Sequence, residues 1–203
     1  MINLYQKIIA PYLLNFTMGL KNFEKIRRIV ITNISGNVLE IGVGPGYNMP
    51  LYKNISKLYA LEPSKELIDI AKTRVNTLLF PVEFLNTEAE KISLQDHVID
   101  NVVSTWTLCS VSDPRQVLQE IKRVLRPQGN FIFFEHGAFP NHVVRVIQVG
   151  LTYITKYFTG NCHYDRKIEE LIKEAGFSIK KIEYSRGRFN SLLYNYRGIA
   201  TLL

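Results

Sequence analysis

The run Val38-Leu39-Glu40-Ile41-Gly42-Val43-Gly44-Pro45-Gly46 constrains this chain more than any other segment. An apolar stretch, interrupted only by Glu40, leads straight into three glycines at alternate positions. A strand therefore ends in a turn where the backbone can take positive φ and lie close to a ligand with no Cβ in the way. About 20 residues further on, a second apolar run ends at Leu61-Glu62-Pro63, where an α/β nucleotide site places the acid that accepts from ribose hydroxyls. Strand, glycine turn and acid together predict an adenosine-binding βαβ unit.

The glycine spacing narrows the ligand. A dinucleotide turn wants G-x-G-x-x-G, with its third glycine at position 47, and that residue is Tyr. No Gly-Lys-Ser/Thr follows, so the turn is not a P-loop. The rest of the chain alternates in the α/β manner. Near-continuous apolar runs predict strands over 37–42, 57–62, 82–86, 100–105 and 130–135. Helices are expected over 67–75 and over 114–125, the latter with Pro114 in its first turn and Pro127 just past its end. After the fifth strand come a long apolar helical segment (139–158), a polar helix (165–175) ended by Gly176, and two strands (177–184 and 192–202) close enough in sequence to pair antiparallel. Before the first strand, Ile2, Tyr5, Ile9, Tyr12 or Leu13, Phe16 and Leu20 recur at helical spacing, with an expected break near Pro11. A second helix is expected over 21–32.

At this point the chain resembles the class I methyltransferases that use S-adenosylmethionine, over roughly residues 30–185. The likeness is strongest to the small methyltransferase-11 branch, which includes ubiquinone/menaquinone-type methylases. Five segments carry it in order: Val38–Gly46, Leu61–Ser64, Thr87-Glu88-Ala89-Glu90, Ile99–Ser104 and Leu125-Arg126-Pro127-Gln128-Gly129, the last with Gln128 where Gly is more usual. Thr107–Val111 with Asp113-Pro114-Arg115, Phe134-Glu135-His136, and Gly160-Asn161-Cys162 followed by Arg166 are similar to a narrower branch. Members of that branch associate with membranes and methylate alkyl thiols. The resemblance implies a Rossmann-like α/β fold: a seven-stranded, mostly parallel sheet with an antiparallel C-terminal strand pair and helices on both faces. It implies one domain over 1–203, with an N-terminal helical cap (1–35) and a helical substrate cap (137–165). S-adenosylmethionine is the implied cofactor and S-adenosylhomocysteine the product. Carried over by position, Gly42, Gly44 and Gly46 wrap the methionine and ribose. Glu40 holds the turn or meets the amino group, and Glu62 binds the ribose. Pro63 and Ser64 flank the adenine, Glu88 and the Ala89 N–H read its edge, and Thr105 and Trp106 lie against the methionine end. Tyr5 or Tyr12 closes over the coenzyme. Asp100 reads as structural.

Methyl transfer from a sulfonium needs alignment and exclusion of water rather than a metal or a covalent intermediate. No His/Cys/Asp group has metal-ligand spacing along the chain, and Cys109 and Cys162 form neither a disulfide framework nor a zinc pattern. That cysteine usage fits a reducing cytoplasm. A thiol acceptor would need little base help, and a phenol, alcohol or carbon acid more. His136, at the end of the fifth strand, is the candidate base, and Cys162, His163 and Asp165 are candidates for substrate contact. The capping segments are rich in Ile, Leu, Val, Phe and Tyr, which points to a small lipophilic acceptor such as a thiol, a phenol or a quinone-like ring.

The net charge of +7 is concentrated at the two ends, with five Lys/Arg against one Glu in both 1–35 and 180–203. There is no dense basic stripe with interleaved aromatics, so no nucleic-acid partner is expected. Apolar caps beside basic ends suit peripheral contact with an anionic membrane. Residues 1–20 lack a basic n-region and an Ala-x-Ala-like site, so they read as neither signal peptide nor span. Two other functions stay open: S-adenosylmethionine binding without turnover, and a short NAD(P)-dependent reductase. The second is disfavoured by Tyr47 and by the lack of a Tyr-x-x-x-Lys pair.

Overall fold

The computed structural model describes residues 9–155, 161–186 and 192–202. Its seven strands form one sheet in the order β3-β2-β1-β4-β5-β7-β6. Strand β1 (Ser35–Ile41) lies parallel between β2 (Asn54–Leu61) and β4 (Ile99–Thr105). Val38, Leu39 and Ile41 are wholly buried, because a central strand with helices on both faces has no solvent side. Strand β3 (Val82–Leu85) extends the sheet beyond β2, and β5 (Leu125–Gly137) extends it beyond β4. β7 (Tyr194–Leu202) alone runs against the others, between β5 and β6 (Phe177–Arg186). The expected seven-stranded sheet is thus the one observed, with its reversal confined to a single strand.

Two buried layers cover the sheet. One takes Val117, Leu118, Ile121 and Val124 from α4 (Pro114–Val124) and Ile168 and Ile172 from α6 (Ile168–Glu174). The other takes Val30 from α2 (Lys21–Val30) and Ala71 from α3 (Lys65–Lys72). Capping fixes where two of these helices begin. Ser64 accepts from Leu67 N, so α3 starts two residues before the start expected from its apolar periodicity. Asp113 accepts from Arg115 N and Gln116 N, and Pro114 occupies the first turn.

β5 is the largest departure, 13 residues rather than the expected 130–135. At its start it reaches back to Leu125, opposite Ile99 of β4, and at its end it gains His136 and Gly137, which pair with Asn195 and Tyr194 of β7, a long-range partner that no local pattern announces. Pro11 does not break α1 (Ala10–Met18) but lies in its first turn, where a missing N–H costs nothing. α5 (His142–Thr155) falls within the expected apolar segment. The expected helical positions Ile2 and Tyr5 lie outside the described residues.

Because the strand order reverses between β1 and β4, a crevice opens at their carboxyl ends, the place where open α/β sheets bind ligands. The glycine turn follows β1, and Thr105–Cys109 follow β4.

Candidate active site

The three glycines of the turn do different jobs. All have positive φ: 66° at Gly42, 53° at Gly44 and 82° at Gly46. A Cβ on Gly42 would strike the Thr107 side chain, and one on Gly46 would meet Met49 Sδ at 2.8 Å. Those two are explained by the chain's own packing. At Gly44 a Cβ would meet nothing nearer than Gly42 O at 4.0 Å, so the turn leaves open space at its middle. That is the cradle a ligand needs.

Glu62, at the end of β2, closes one side of the cradle. Its carboxylate accepts from Gly44 N and Ser64 N, each at 3.0 Å, which ties the two expected motifs together. Burial pushes its pKa up to about 6, against the two N–H donors that favour the charge. Below the turn, buried Glu40 accepts from Asn48 Nδ2 at 2.7 Å and from Tyr52 OH at 2.9 Å. Burial lifts it to about 7, again opposed by its donors. Glu40 therefore holds the turn from within.

Asn48 also donates to Thr105 Oγ1 at 3.0 Å, linking β1's turn to the end of β4. Its Oδ1 is buried and has no partner among the described residues, as does Trp106 Nε1. Orphaned buried polar atoms are uncommon, and here both lie at the crevice mouth. Trp106 itself has φ 54° and packs edge-on against Phe23 of α2 and Phe134 of β5, with ring centroids 5.2 and 5.1 Å away. Tyr47, in the place of a dinucleotide glycine, lies with its ring near Arg27 and Arg74, and its hydroxyl donates to Asn15 O of α1. Asn48, Tyr52 and Tyr47 were not among the sequence candidates. Their signal was present only as polar residues just after the glycine run.

The Thr87–Glu90 segment divides in two. Glu90 accepts from Ser112 N and Asp113 N, so it ties down the loop before α4. Glu88 is exposed, with its pKa raised by partial burial and by Glu90, and Ala89 is buried beside it. Asn86 Nδ2 donates to the carbonyls of Glu62 and Pro63, which fixes exposed Pro63 at the rim. Asp100 lies away from this edge, accepting from Asn37 N and pairing with Arg126, in keeping with a structural role.

Beyond β4 and β5 lies a second group. Fully buried Glu135 accepts from Ser104 Oγ at 2.5 Å, Thr107 N at 3.2 Å and Cys109 N at 3.1 Å. It pins the loop that carries Cys109. Arg166 clamps the same loop, donating to Leu108 O and Val111 O at 2.7 Å each. Cys109 Sγ lies 3.5 Å from Cys162 Sγ, and His136 Nδ1 lies 3.4 Å from Cys162 Sγ. The hydrogen bond with Cys162, and then burial, push the Cys109 thiol up. His136 is half-buried and turned toward the sulfurs. Cys109, His136 and Cys162 share no ligand spacing along the chain, yet the fold brings them together beside the carboxyl ends of β4 and β5. Among the sequence candidates for substrate contact, Asp165 accepts from Thr152 Oγ1, and His163 N donates to Cys109 O. Tyr12 of α1 is 67% exposed; Tyr5 and Gly160 lie outside the described residues.

Comparisons with known proteins identify the family and the fold. A family model described as "Methyltransferase domain" matches residues 39–133. Thiol S-methyltransferase TMT1B of Mus musculus is 33% identical over 184 residues, covering 85% of this chain and 75% of its own. Phosphatidylethanolamine N-methyltransferase of Cereibacter sphaeroides is 31% identical over 129 residues, covering 61% of this chain and 63% of its own. Among solved structures, a SAM-dependent methyltransferase from Aquifex aeolicus aligns with a TM-score of 0.68 at 19% identity, over 95% of this chain and 98% of that one. At that identity the likeness establishes the fold alone.

Proposed function

This chain belongs to the class I S-adenosylmethionine-dependent methyltransferases, and we propose that it transfers the methyl group to the sulfur of a small lipophilic thiol. The observation that carries the acceptor is the similarity to thiol S-methyltransferases over most of the chain, through the segments that hold Cys109 and His136. The apolar surroundings of the second group support it, since Leu151 and Leu193 pack against Cys109, Cys162 and Tyr164.

S-adenosylmethionine, when bound, supplies a methyl group already activated by a positively charged sulfur. The residues present fit it. The open middle of the turn at Gly44 receives the ribose and methionine. Glu62 accepts from the ribose hydroxyls with the lone pairs its two backbone donors leave free. Asn48 Oδ1, buried and unpartnered, accepts from the amino group, with Glu40 behind it. Glu88 and the Ala89 N–H read the adenine edge, and Pro63 and Ser64 flank it. Thr105 and Trp106 bound the methionine end. A thiol with a pKa near 8.5 ionises readily, so the acceptor side needs orientation more than a strong base, and His136 is placed to take the proton.

The caps give the acceptor an apolar approach. Tyr12, Leu13 and Phe16 of α1, and Val143, Val146, Tyr153 and Ile154 of α5, are all exposed. With the basic chain ends, these faces suit peripheral contact with anionic lipid. Liposome flotation at low salt tests this, and absence of binding would end it. No described helix is long and apolar enough to cross a membrane.

The activity test is incubation with labelled S-adenosylmethionine and a panel of alkanethiols, phenols, quinols and phosphatidylethanolamine, read by mass spectrometry. The expected product is a methyl thioether. Label appearing only on oxygen or on nitrogen would overturn the sulfur acceptor. Coenzyme binding without any labelled product would favour a binding protein.

A further inference from the structure

Cys109, His136 and Cys162 form the one group of three His, Cys or acidic donors with ligand spacing among the described residues, their donor atoms all within 4.8 Å of one another. We propose that these three side chains bind a single Zn2+ ion, leaving a fourth position for the thiol acceptor. The second half of this rests on the thiol reading above.

The separations carry the first half. Zinc bonds of about 2.3 Å to sulfur and about 2.0 Å to nitrogen put tetrahedral ligand edges at about 3.8 Å between sulfurs and about 3.5 Å between nitrogen and sulfur. The observed contacts are 3.5 Å for Cys109 Sγ to Cys162 Sγ and 3.4 Å for His136 Nδ1 to Cys162 Sγ. A disulfide would need only the two sulfurs, about 2.05 Å apart, and gives His136 no role. Two thiolates and one imidazole are soft and borderline donors, the set that selects zinc over magnesium or calcium.

The surroundings hold the donors in place. Glu135 fixes the Cys109 backbone through Cys109 N and Thr107 N. Arg166 fixes the carbonyls on either side of Cys109, at Leu108 and Val111. His163 N donates to Cys109 O at 2.8 Å, which locks the residue after Cys162 onto the same loop. Two thiolates and Zn2+ sum to zero charge, and Arg166 and Glu135 offset each other nearby, so a buried metal site here carries little net charge. Sites with three protein ligands keep an open position for substrate. With the ion bound, His136 serves as a ligand and no longer as the base, so a thiol entering the open position would give its proton to solvent and be held as thiolate, beside apolar Leu151 and Leu193.

The test uses the whole purified protein. Metal analysis after exposure to Zn2+ is expected to find one equivalent, released when the thiols are blocked with a mercurial. Replacement by Co2+ is expected to give thiolate-to-metal charge transfer and the visible bands of a tetrahedral ion. Cys109→Ser, Cys162→Ser and His136→Ala should each lose the ion, while S-adenosylhomocysteine binding and the thermal melt show that the variant has folded. Wild-type protein that takes up no metal with both thiols free, or that carries a Cys109–Cys162 disulfide, would overturn the site. Addition of an alkanethiol should shift the Co2+ spectrum. A loaded protein with no shift would overturn the fourth-position assignment and leave the metal site standing. The methylation panel reads the thiol acceptor independently of either result.

Discussion

The coenzyme edge and the sulfur cluster lie at the same end of the sheet but are assembled in opposite ways. At the coenzyme edge the decisive contacts are short in sequence: Glu40 to Asn48 spans 8 residues and Gly44 to Glu62 spans 18. In the cluster, His136 meets Cys162 across 26 residues and Cys109 meets Cys162 across 53. One βαβ unit can specify the first by itself. The second exists only once β4, β5 and the segment before α6 have come together. On the proposed reading, coenzyme binding and acceptor chemistry rest on different contacts and should separate under mutation.

The sharpest test of that separation is Glu135→Ala. It leaves the Ser104 hydroxyl and the Thr107 and Cys109 amides without their acceptor, and is expected to cost about 3 kcal/mol in urea unfolding. Activity should fall further than coenzyme affinity, and equal losses in both would break the comparison. On the other side, Gly44→Val fills the open middle of the turn. Calorimetry is expected to show S-adenosylhomocysteine binding weakened on the order of 100-fold, about 2.8 kcal/mol, while the melting temperature falls by the equivalent of about 1–2 kcal/mol, because a β-branched residue is strained at a φ of 53°. Unchanged affinity would show that the turn is not the cradle.

A pH series reads the two buried acids together. Glu40 is raised from 4.5 to about 7, and Glu62 from 4.5 to about 6. A carboxyl raised on folding keeps a proton that the unfolded chain has already lost. Its contribution is therefore full below pH 4.5 and is lost as pH climbs through the folded value. The melting temperature of the ligand-free protein should fall between pH 4.5 and 7, by the equivalent of about 5 kcal/mol for the two acids together, and Glu40→Gln should remove the larger share of that slope. A melting temperature that rises through this window would contradict the assignment.

Smaller effects sharpen the picture at the rim. Glu62→Gln should weaken S-adenosylhomocysteine roughly tenfold, about 1.4 kcal/mol, with kcat for a saturating thiol nearly unchanged. Glu88→Ala, at an exposed position, should cost only about 0.5 kcal/mol of affinity in the same titration. A larger loss there than at Glu62 would reverse their assigned roles.

Much of the fold was legible in the chain because parallel strands buried on both faces leave near-continuous apolar runs, and because Pro114 and Gly176 punctuate helix ends. The boundaries that moved were set by other means. α3 starts where Ser64 can cap it, and β5 gains His136 and Gly137 where β7 pairs with them and begins at Leu125 where Ile99 of β4 lies opposite. Within the site, the glycines and Glu62 could be read from spacing alone. That Gly42 and Gly46 serve packing while Gly44 faces open space could not, since it depends on Thr107 and Met49 arriving beside them. Glu135, a buried acid in an apolar strand, was an available clue whose partners became visible only in the fold.

The chain's local patterning alone carried the α/β class and the strand–turn–acid unit, because those depend on periodicity and on φ preferences that act over a few residues, and the resemblance to a known family added the coenzyme. Which residues gather beyond β4 and β5 depended instead on the tertiary structure. Cys109, His136 and Cys162 have no shared pattern along the chain, and their meeting is fixed by sheet order and by the Glu135 and Arg166 contacts that hold one loop between two strands.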